Sequence, residues 1–266
     1  MRTGLARGLE ARPERGEGAM RPYYEHGGVT IFHGDCFDVM ADGIGEAVDA
    51  VIMDPPYAVQ TQISASRDRE NISNLGDLSL QERVFRSLFD LTLAKSTTAG
   101  RHFVFADGTS YPTVFRAMYG RRLTALLVWD KGQIGMGREF RKSHELIMHA
   151  WSGETPIFGD GVGRSDVLHV SPVALAARMH PAEKPVELLL ELLRVCGNAV
   201  LDPFMGSGST LVAAKQLGRR AIGIEIEEKY CEIAARRLSQ ETLDFTPRTK
   251  PSPPVQTSLL ISSARK

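Results

Sequence analysis

The chain has few cysteines, no long apolar run and no net charge, and each of these excludes a class of protein. Cys36, Cys196 and Cys231 lie far apart without paired spacing, so they predict reduced, partly buried thiols rather than a disulfide framework or a metal site. None follows a proline in a loop of the kind that carries a cysteine nucleophile. No apolar run approaches the roughly 18 residues that cross a bilayer, and the Arg- and Glu-rich N-terminus does not resemble a secretory signal. We therefore expect a cytoplasmic protein without membrane contact.

Charge and composition exclude less. Lys and Arg number 32, as do Asp and Glu, so any contact with nucleic acid must come from a local basic patch. His, Cys and acidic residues show no metal-ligand spacing, so we expect no metal. A hydrophobic content of 42% over 266 residues is typical of a globular protein with a sizeable core.

Three segments differ in composition. Residues 1–19 alternate Arg, Glu and Gly without hydrophobic periodicity and predict a disordered leader, with Met20 as a second candidate start. Residues 246–266 are rich in Pro, Ser and Thr and predict a flexible tail. The range between them, 20–245, is expected to form one folded domain.

Strand-like and helix-like patterns alternate through this domain. Near-continuous apolar runs predict seven strands, at 29–33, 48–53, 102–106, 123–129, 144–150, 198–202 and 220–225. Helical patterns lie at 80–97, 109–119, 184–196, 209–217 and 227–240. The alternation predicts an α/β fold with a mostly parallel, doubly wound sheet. The runs 123–129 and 144–150 have only a loop between them, which predicts an antiparallel hairpin at the sheet edge.

A glycine-rich turn, Asp202-Pro203-Phe204-Met205-Gly206-Ser207-Gly208, follows one of the strands. Its glycines allow close approach to a ligand, and Glu225 at the end of the next strand is placed to bind two ribose hydroxyls. A dinucleotide site would require glycine where the chain has Leu211, and a phosphate-binding loop would require a lysine after the glycines. A nucleoside ligand without pyrophosphate remains, and S-adenosyl-L-methionine fits that description.

A second turn, Asp54-Pro55-Pro56-Tyr57, follows the apolar run 48–53. It places a rigid carboxylate beside a flat aromatic ring, a combination suited to reaction on the exocyclic amino group of a planar base. Taken alone, the tetrapeptide is as consistent with an ordinary β-turn and a buried tyrosine.

These two turns resemble the catalytic and cofactor motifs of amino-group DNA methyltransferases. The segment His180-Pro181-Ala182-Glu183-Lys184-Pro185 resembles the one that precedes the cofactor turn in that family. The catalytic motif comes first and the cofactor motif last, which is the circularly permuted order of the beta class. The resemblance covers about residues 20–240. It implies a Rossmann-like, S-adenosylmethionine-dependent methyltransferase fold in which the strands ending at Met53 and Leu201 lie side by side.

The resemblance also implies roles for individual residues. Asp54 and the Pro55 carbonyl would accept the two amine N–H bonds, Pro56 would stiffen the turn, and Tyr57 would stack on a base extruded from the duplex. Asp35 would accept a hydrogen bond from the cofactor adenine, and Lys184 would bind its carboxylate. The expected cofactor-binding set is Asp35, Asp54, Lys184, Asp202, Pro203, Phe204, Gly206, Ser207, Gly208, Thr210, Glu225 and Ile226.

Double-stranded DNA is the expected partner. Phosphate contacts are predicted in the Gly- and Arg-rich loop, from Lys131, Arg138, Arg141 and Lys142. Residues 58–79 are a second candidate surface, and a small recognition segment is expected near 152–179. The recognised sequence, a homodimer and a partner restriction endonuclease cannot be inferred from the chain.

Asp at position 54 favours adenine N6 as the methylated atom. Cytosine N4 is the alternative within the family, whose cytosine enzymes more often carry serine there. Modification of RNA or of a protein glutamine fits less well. A non-catalytic cofactor-binding protein that binds DNA is the alternative from another class, and it would not need the acid and the ring of the catalytic turn.

Overall fold

The computed structural model describes residues 20–45, 47–55, 78–118, 122–135, 139–153 and 163–240. The strands within these ranges are β1 (Tyr24–His26), β2 (Val29–His33), β3 (Val48–Met53), β4 (Ser96–Ala106), β5 (Arg122–Asp130), β6 (His144–Trp151), β7 (Val167–His169), β8 (Ala199–Asp202) and β9 (Arg220–Glu225). The helices are α1 (Cys36–Asp42), α2 (Leu78–Ala94), α3 (Tyr111–Ala117), α4 (Val186–Leu193), α5 (Ser209–Gln216) and α6 (Glu228–Ser239), with a 3-10 turn at Leu175–Ala177. The predicted leader and tail lie outside the described residues, and the division into segments stays a prediction.

All described strands join one sheet in the order β1-β2-β9-β8-β3-β4-β6-β5-β7. The five consecutive strands β2-β9-β8-β3-β4 of this order run parallel to one another, and β6 runs antiparallel to both β4 and β5. The mostly parallel α/β sheet with an antiparallel hairpin is therefore confirmed. Two three-residue strands add to the seven predicted ones. Of these, β7 pairs with β5, so the hairpin lies one strand in from the edge.

Helix boundaries differ from the predicted ones by up to three residues, and one helix was not predicted. Helix α2 ends at Ala94 rather than residue 97, because Ser96 already pairs with Val48 at the start of β4. Helix α1 was not predicted at all. It has seven residues, and it begins where the Asp35 carboxylate accepts the Phe37 N–H at 2.8 Å. Seven residues are too few for a clear helical period, so its cap is the stronger signal.

The sheet has a hydrophobic core on each face. On β3, Ala50 and Ile52 face one core with the leucines of α4, whereas Val51 and Met53 face the other with Phe85 and Phe89 of α2. Both faces of the strand are covered, which explains why its sequence is almost continuously apolar. None of the helices in the described part of the chain is long and apolar enough to span a bilayer.

The pairing of β3 with β8 sets the position of the site. Val51 pairs with Leu201 although the two residues are far apart in the sequence. Asp49 holds this pairing at the other end of the strands, where its carboxylate accepts the N–H groups of Asn198 at 2.8 Å and Ala199 at 3.1 Å. A side chain at Gly197 would lie 2.6 Å from the same carboxylate. The carboxyl ends of β3 and β8 consequently lie side by side, where the sheet order reverses and where open α/β sheets bind ligands.

Candidate active site

A cavity of about 920 Å³ opens at the carboxyl ends of β3, β8 and β9. Most predicted site residues line it: Asp35, Asp54, Pro55, Lys131, Lys142, Lys184, Asp202, Pro203, Phe204, Gly206, Ser207, Thr210, Glu225 and Ile226. Two sequence motifs that are about 150 residues apart therefore meet in one cleft. Pro56, Tyr57 and Arg138 lie outside the described residues.

Two glycines and the carboxylate of Glu225 shape the glycine-rich turn after β8. Gly206 and Gly208 adopt φ values of 52° and 81°, which disfavour other residues. Glu225 accepts the Gly206 N–H at 3.0 Å, which ties the turn to the end of β9. Gly208 does not face the cavity: a Cβ there would lie 2.8 Å from Cβ of Ala234 in α6. Glycine is therefore required here by close packing of the turn against α6, and the predicted ligand contact of Gly208 stays a prediction.

Asp202 is buried beneath this turn and is 5% exposed. Burial raises the pKa of its carboxyl from 3.8 to about 7, against the lowering effect of hydrogen bonds from Thr210 and the Phe204 N–H. The negative charges of Asp54 and Glu225 raise it further. Asp202 is thus an acid whose charge is easily lost near neutral pH, and positive charge in the cavity would favour its ionised form.

Arg237 of α6 holds the glycine-rich turn in place, and the sequence did not identify it as a site residue. Its guanidinium donates to the Ser207 carbonyl at 2.8 Å and pairs with Glu183 at 3.0 Å. Glu183 in turn accepts the Met179 N–H at 2.7 Å and lies 3.3 Å from the Ser209 hydroxyl. The segment before α4 and the cofactor turn are therefore joined by a largely buried ion pair. Arg237 lies opposite the apolar side of its helix, where charged side chains are usually solvated.

Four charged side chains meet at the catalytic end of the cleft. The Lys184 ammonium donates to Asp54 and lies 3.4 Å from Oε2 of Glu145, while Lys131 pairs with Oε1 of Glu145 at 2.6 Å. Lys184 also lies over the Phe105 ring, at 4.9 Å from its centroid. Glu145 was not predicted as a site residue. An acid near the start of an otherwise apolar strand, facing two lysines, is the signal that could have found it.

These contacts change the interpretation of two predicted lysines. The partners of the Lys184 ammonium are the carboxylates of Asp54 and Glu145, and its predicted contact with a cofactor carboxylate stays a prediction. Lys131 is held by Glu145 and lies 4.8 Å from the centroid of the Trp129 ring, so it is part of the cleft rather than a loop that contacts phosphates. A cation that is paired and only 24% exposed contributes little to an electrostatic DNA surface.

The other predicted residues keep positions that suit their roles. Each carboxylate oxygen of Glu225 accepts one backbone N–H, from Gly206 or Glu227, and has a further lone pair with which to accept a ligand hydroxyl. Asp35 caps α1 and lines the cavity.

The three cysteines are buried, and burial raises the pKa of each thiol to about 12, so none is poised as a nucleophile.

The loop between β5 and β6 carries exposed apolar as well as basic residues. Phe140 is 98% exposed and Ile134 is 61% exposed, beside Arg141 and Lys142. The Lys142 ammonium pairs with Asp107 at 2.6 Å but its side chain remains 63% exposed, and Arg141 donates to the Gly135 carbonyl. Of the second candidate surface, 58–79, only the last two residues fall in the described ranges. Of 152–179, the structure describes 152–153 and 163–179, with β7 and the 3-10 turn.

Sheet topology, the glycine-rich turn and the neighbouring acid-proline turn define a Rossmann-like methyltransferase. Solved structures of this fold are similar: M1.HpyAVI in its SAM complex has a TM-score of 0.61 at 23% identity, covering 79% of this chain and 99% of that one. The cytosine-N4-specific PvuII DNA methyltransferase has a TM-score of 0.66 at 18% identity, covering 81% and 88%. Residues 48–236 match the N6/N4 family model for DNA methylases, and the chain belongs to that family.

Two relatives align over most of their length. The Type II methyltransferase M2.DpnII of Streptococcus pneumoniae is 29% identical over 250 residues, covering 83% of this chain and 93% of the relative. M2.LlaDCHI of Lactococcus lactis subsp. cremoris, also a Type II methyltransferase, is 27% identical with the same coverage. The amino-group DNA methyltransferase resemblance is thereby confirmed.

The cleft fits the cofactor of this family, S-adenosyl-L-methionine. Its volume is in the range of small-molecule sites, and Asp54, Asp202 and Glu225 all line it. A carboxylate-rich cavity suits a ligand that carries a sulfonium and an ammonium group. The residues present would therefore hold the nucleoside between Asp35, Glu225 and the turn that begins at Asp202.

Proposed function

We propose that this protein methylates the N6 amino group of an adenine that is extruded from a specific site in double-stranded DNA. The observation that carries the proposal is the shared cavity of Asp54 and the glycine-rich turn. Pairing of β3 with β8 holds the two together, so a donor on the turn and an acceptor beside Asp54 would be neighbours. Such positioning is the main contribution a protein makes to a direct displacement.

The reaction requires a better nucleophile than a free base provides. The lone pair of an exocyclic amine is delocalised into the ring, and S-adenosylmethionine, when bound, supplies the electrophilic methyl group. The Asp54 carboxylate and the Pro55 carbonyl would accept the amine N–H bonds and localise the lone pair on nitrogen. Proline has no N–H to compete at this position. Both groups act through preorganised electrostatics, without a covalent intermediate.

Cofactor binding is assigned to the residues around the turn. Glu225 would accept the ribose hydroxyls through the lone pairs that its backbone contacts leave, and Asp35 would accept the adenine amino group. Phe204, Pro203 and Ile226 supply apolar wall. Stacking of the target base on Tyr57 is part of the proposal and rests on the sequence motif alone.

The loop between β5 and β6 is proposed as a DNA contact. Lys142 and Arg141 bring positive charge to the rim of the cleft, and Phe140 exposes a ring that could fill space left when a base is extruded. Lys131 is not included, because its side chain is only 24% exposed, whereas that of Lys142 is 63% exposed. The two aligned relatives are Type II methyltransferases, and we assign the same site-specific type to this chain.

Cytosine N4 methylation is the second candidate, because the PvuII cytosine-N4 enzyme shares the fold and the same acceptor geometry serves either amine. Nucleoside analysis by mass spectrometry separates the two after DNA is incubated with the protein and isotopically labelled cofactor. We expect labelled N6-methyladenine. Labelled N4-methylcytosine would transfer the proposal to the second candidate, and label in neither base would refute both.

A further inference from the structure

Glu145 has no place in the reaction described above, yet it is partly buried and shares the Lys184 ammonium with the catalytic carboxylate. It lies on β6, which is separated from β3 by β4 in the sheet. Its side chain is 19% exposed, and its two carboxylate oxygens face different ammonium groups, those of Lys131 and Lys184. Lys184 is 11% exposed and reaches Asp54 on its other side. The four charged side chains form a row of ion pairs from β6 to the end of β3.

Glu145 and Lys184 are the two central members of this row of ion pairs, and the effect of opposite charge on each pKa outweighs that of burial. Burial alone would raise the pKa of Glu145, but Lys184 and Lys131 hold it below its usual range. Burial would lower the pKa of Lys184, but Asp54 and Glu145 raise it. Both groups are therefore charged at neutral pH, and the two lysines balance the two acids.

A row of ion pairs like this one is not required for the stability of the fold. Buried ion pairs of this kind can often be replaced by apolar residues without loss of stability, although removing a single partner is costly. What the row of ion pairs does provide is a defined position for each charged group. A lysine has a flexible stem and three donors, so an ammonium with one carboxylate partner can follow that partner as it rotates. A second carboxylate, here Glu145 in an ion pair at 3.4 Å, restrains the ammonium electrostatically, and through it one oxygen of Asp54.

We propose that Glu145 is a positioning residue for methyl transfer, which holds the Lys184 ammonium so that the Asp54 carboxylate keeps one orientation toward the target amine. The inference rests on the proposed function for its catalytic consequence. Asp54 would remain present without Glu145, but its accepting oxygen would no longer be fixed. Misplacement of a reacting group by about 1 Å can cost about 100-fold in rate.

Glu145→Gln is the test, because it removes the charge with little change in shape. We expect kcat to fall about 10- to 100-fold, while KM for cofactor and DNA changes by less than about threefold. Glu25→Gln, at an exposed position on β1, is the matched control and should retain full kcat. In a Lys184→Met background, Glu145→Gln should have no further effect on kcat, because Glu145 acts through Lys184.

A crystal structure of Glu145→Gln gives a readout that does not depend on activity. We expect the Asp54 carboxylate to lose its contact with Lys184 or to occupy more than one orientation. An unchanged Asp54–Lys184 pair would overturn the inference, whether or not the wild-type protein transfers methyl groups. Unchanged kcat in Glu145→Gln, or equal losses with and without Lys184, would also overturn it while leaving the proposed function intact.

Discussion

The buried acid beneath the glycine-rich turn should make the stability of the protein depend on pH in a way that a single substitution removes. Asp202 is 5% exposed, and burial raises the pKa of its carboxyl from 3.8 to about 7. Asp202→Asn keeps the size of the side chain and the carbonyl oxygen that accepts the Phe204 N–H at 3.0 Å. It removes the ability to ionise, and the Thr210 hydroxyl that donates to the carboxylate can rotate to accept from the amide instead.

The sign and size of the effect follow from proton linkage. Between about pH 4 and 7 the folded state holds a proton on Asp202 that the unfolded state has released. The free energy of unfolding of the wild type therefore falls as pH rises through this window. At 1.36 kcal/mol per pKa unit, the loss is about 4 kcal/mol once Asp202 has ionised in the folded state. Asn has no such loss, so the variant should be the more stable protein above about pH 7 and nearly equal to the wild type below pH 4.

Thermal unfolding of the ligand-free protein across pH 4 to 8 measures this difference directly. For a domain of this size we expect Asp202→Asn to melt about 10 °C above the wild type at pH 8, with the difference vanishing toward pH 4. Subtracting the two curves cancels the titration of the other carboxylates. Asp166→Asn, at an exposed position, is the matched control and should follow the wild type. A difference between Asp202→Asn and wild type that does not vary with pH would refute the reasoning.

Three further substitutions test the rest of the site. Arg237→Ala leaves Glu183 buried without its partner, so it should cost about 3–5 kcal/mol of stability and weaken cofactor binding in calorimetry. Arg236→Ala removes only an exposed ion pair worth at most about 1 kcal/mol. Similar losses of stability in the two variants would contradict the role of Arg237 in holding the turn. Gly208→Ala meets both a φ of 81° and a contact at 2.8 Å, so chemical denaturation should show a loss about 1–3 kcal/mol larger than for Gly218→Ala, which has a φ of 66° and no neighbour within 4 Å. Lys142→Ala should weaken binding to all DNA sequences alike and reduce the salt slope of log K by about 0.9, measured by fluorescence anisotropy, and an unchanged slope would remove it from the interface.

The sequence predicted the central sheet because the strands are buried on both faces. Val48–Met53 and Arg220–Glu225 are read directly from their apolar runs, and the structure has the same boundaries. The position of the site was predictable for the same reason, since acids that follow two such strands must lie at their carboxyl ends. The adjacency of β3 and β8 came from the family resemblance, because hydrophobic periodicity does not reveal strand order.

What the sequence did not predict depends on partners that are distant along the chain. Asp49 is a polar residue inside an apolar strand, and only the fold shows that it accepts two N–H groups at the start of β8. Arg237 lies opposite the apolar side of its helix, yet it reaches the turn and Glu183. Lys131 belongs to a basic stretch, but Glu145 neutralises it. Local patterns assign such charges to solvent, and only tertiary contacts show that they are paired.

In the proposed reaction, Asp54 acts on the substrate amine while the neighbouring turn binds the cofactor. Asp54→Ala separates these functions when single-turnover methyl transfer and cofactor binding are measured on the same preparation. We predict that transfer falls at least about 100-fold, as when a preorganised electrostatic contact is removed, while the Kd for the cofactor changes by less than about tenfold. Transfer at the wild-type rate in Asp54→Ala would contradict the account.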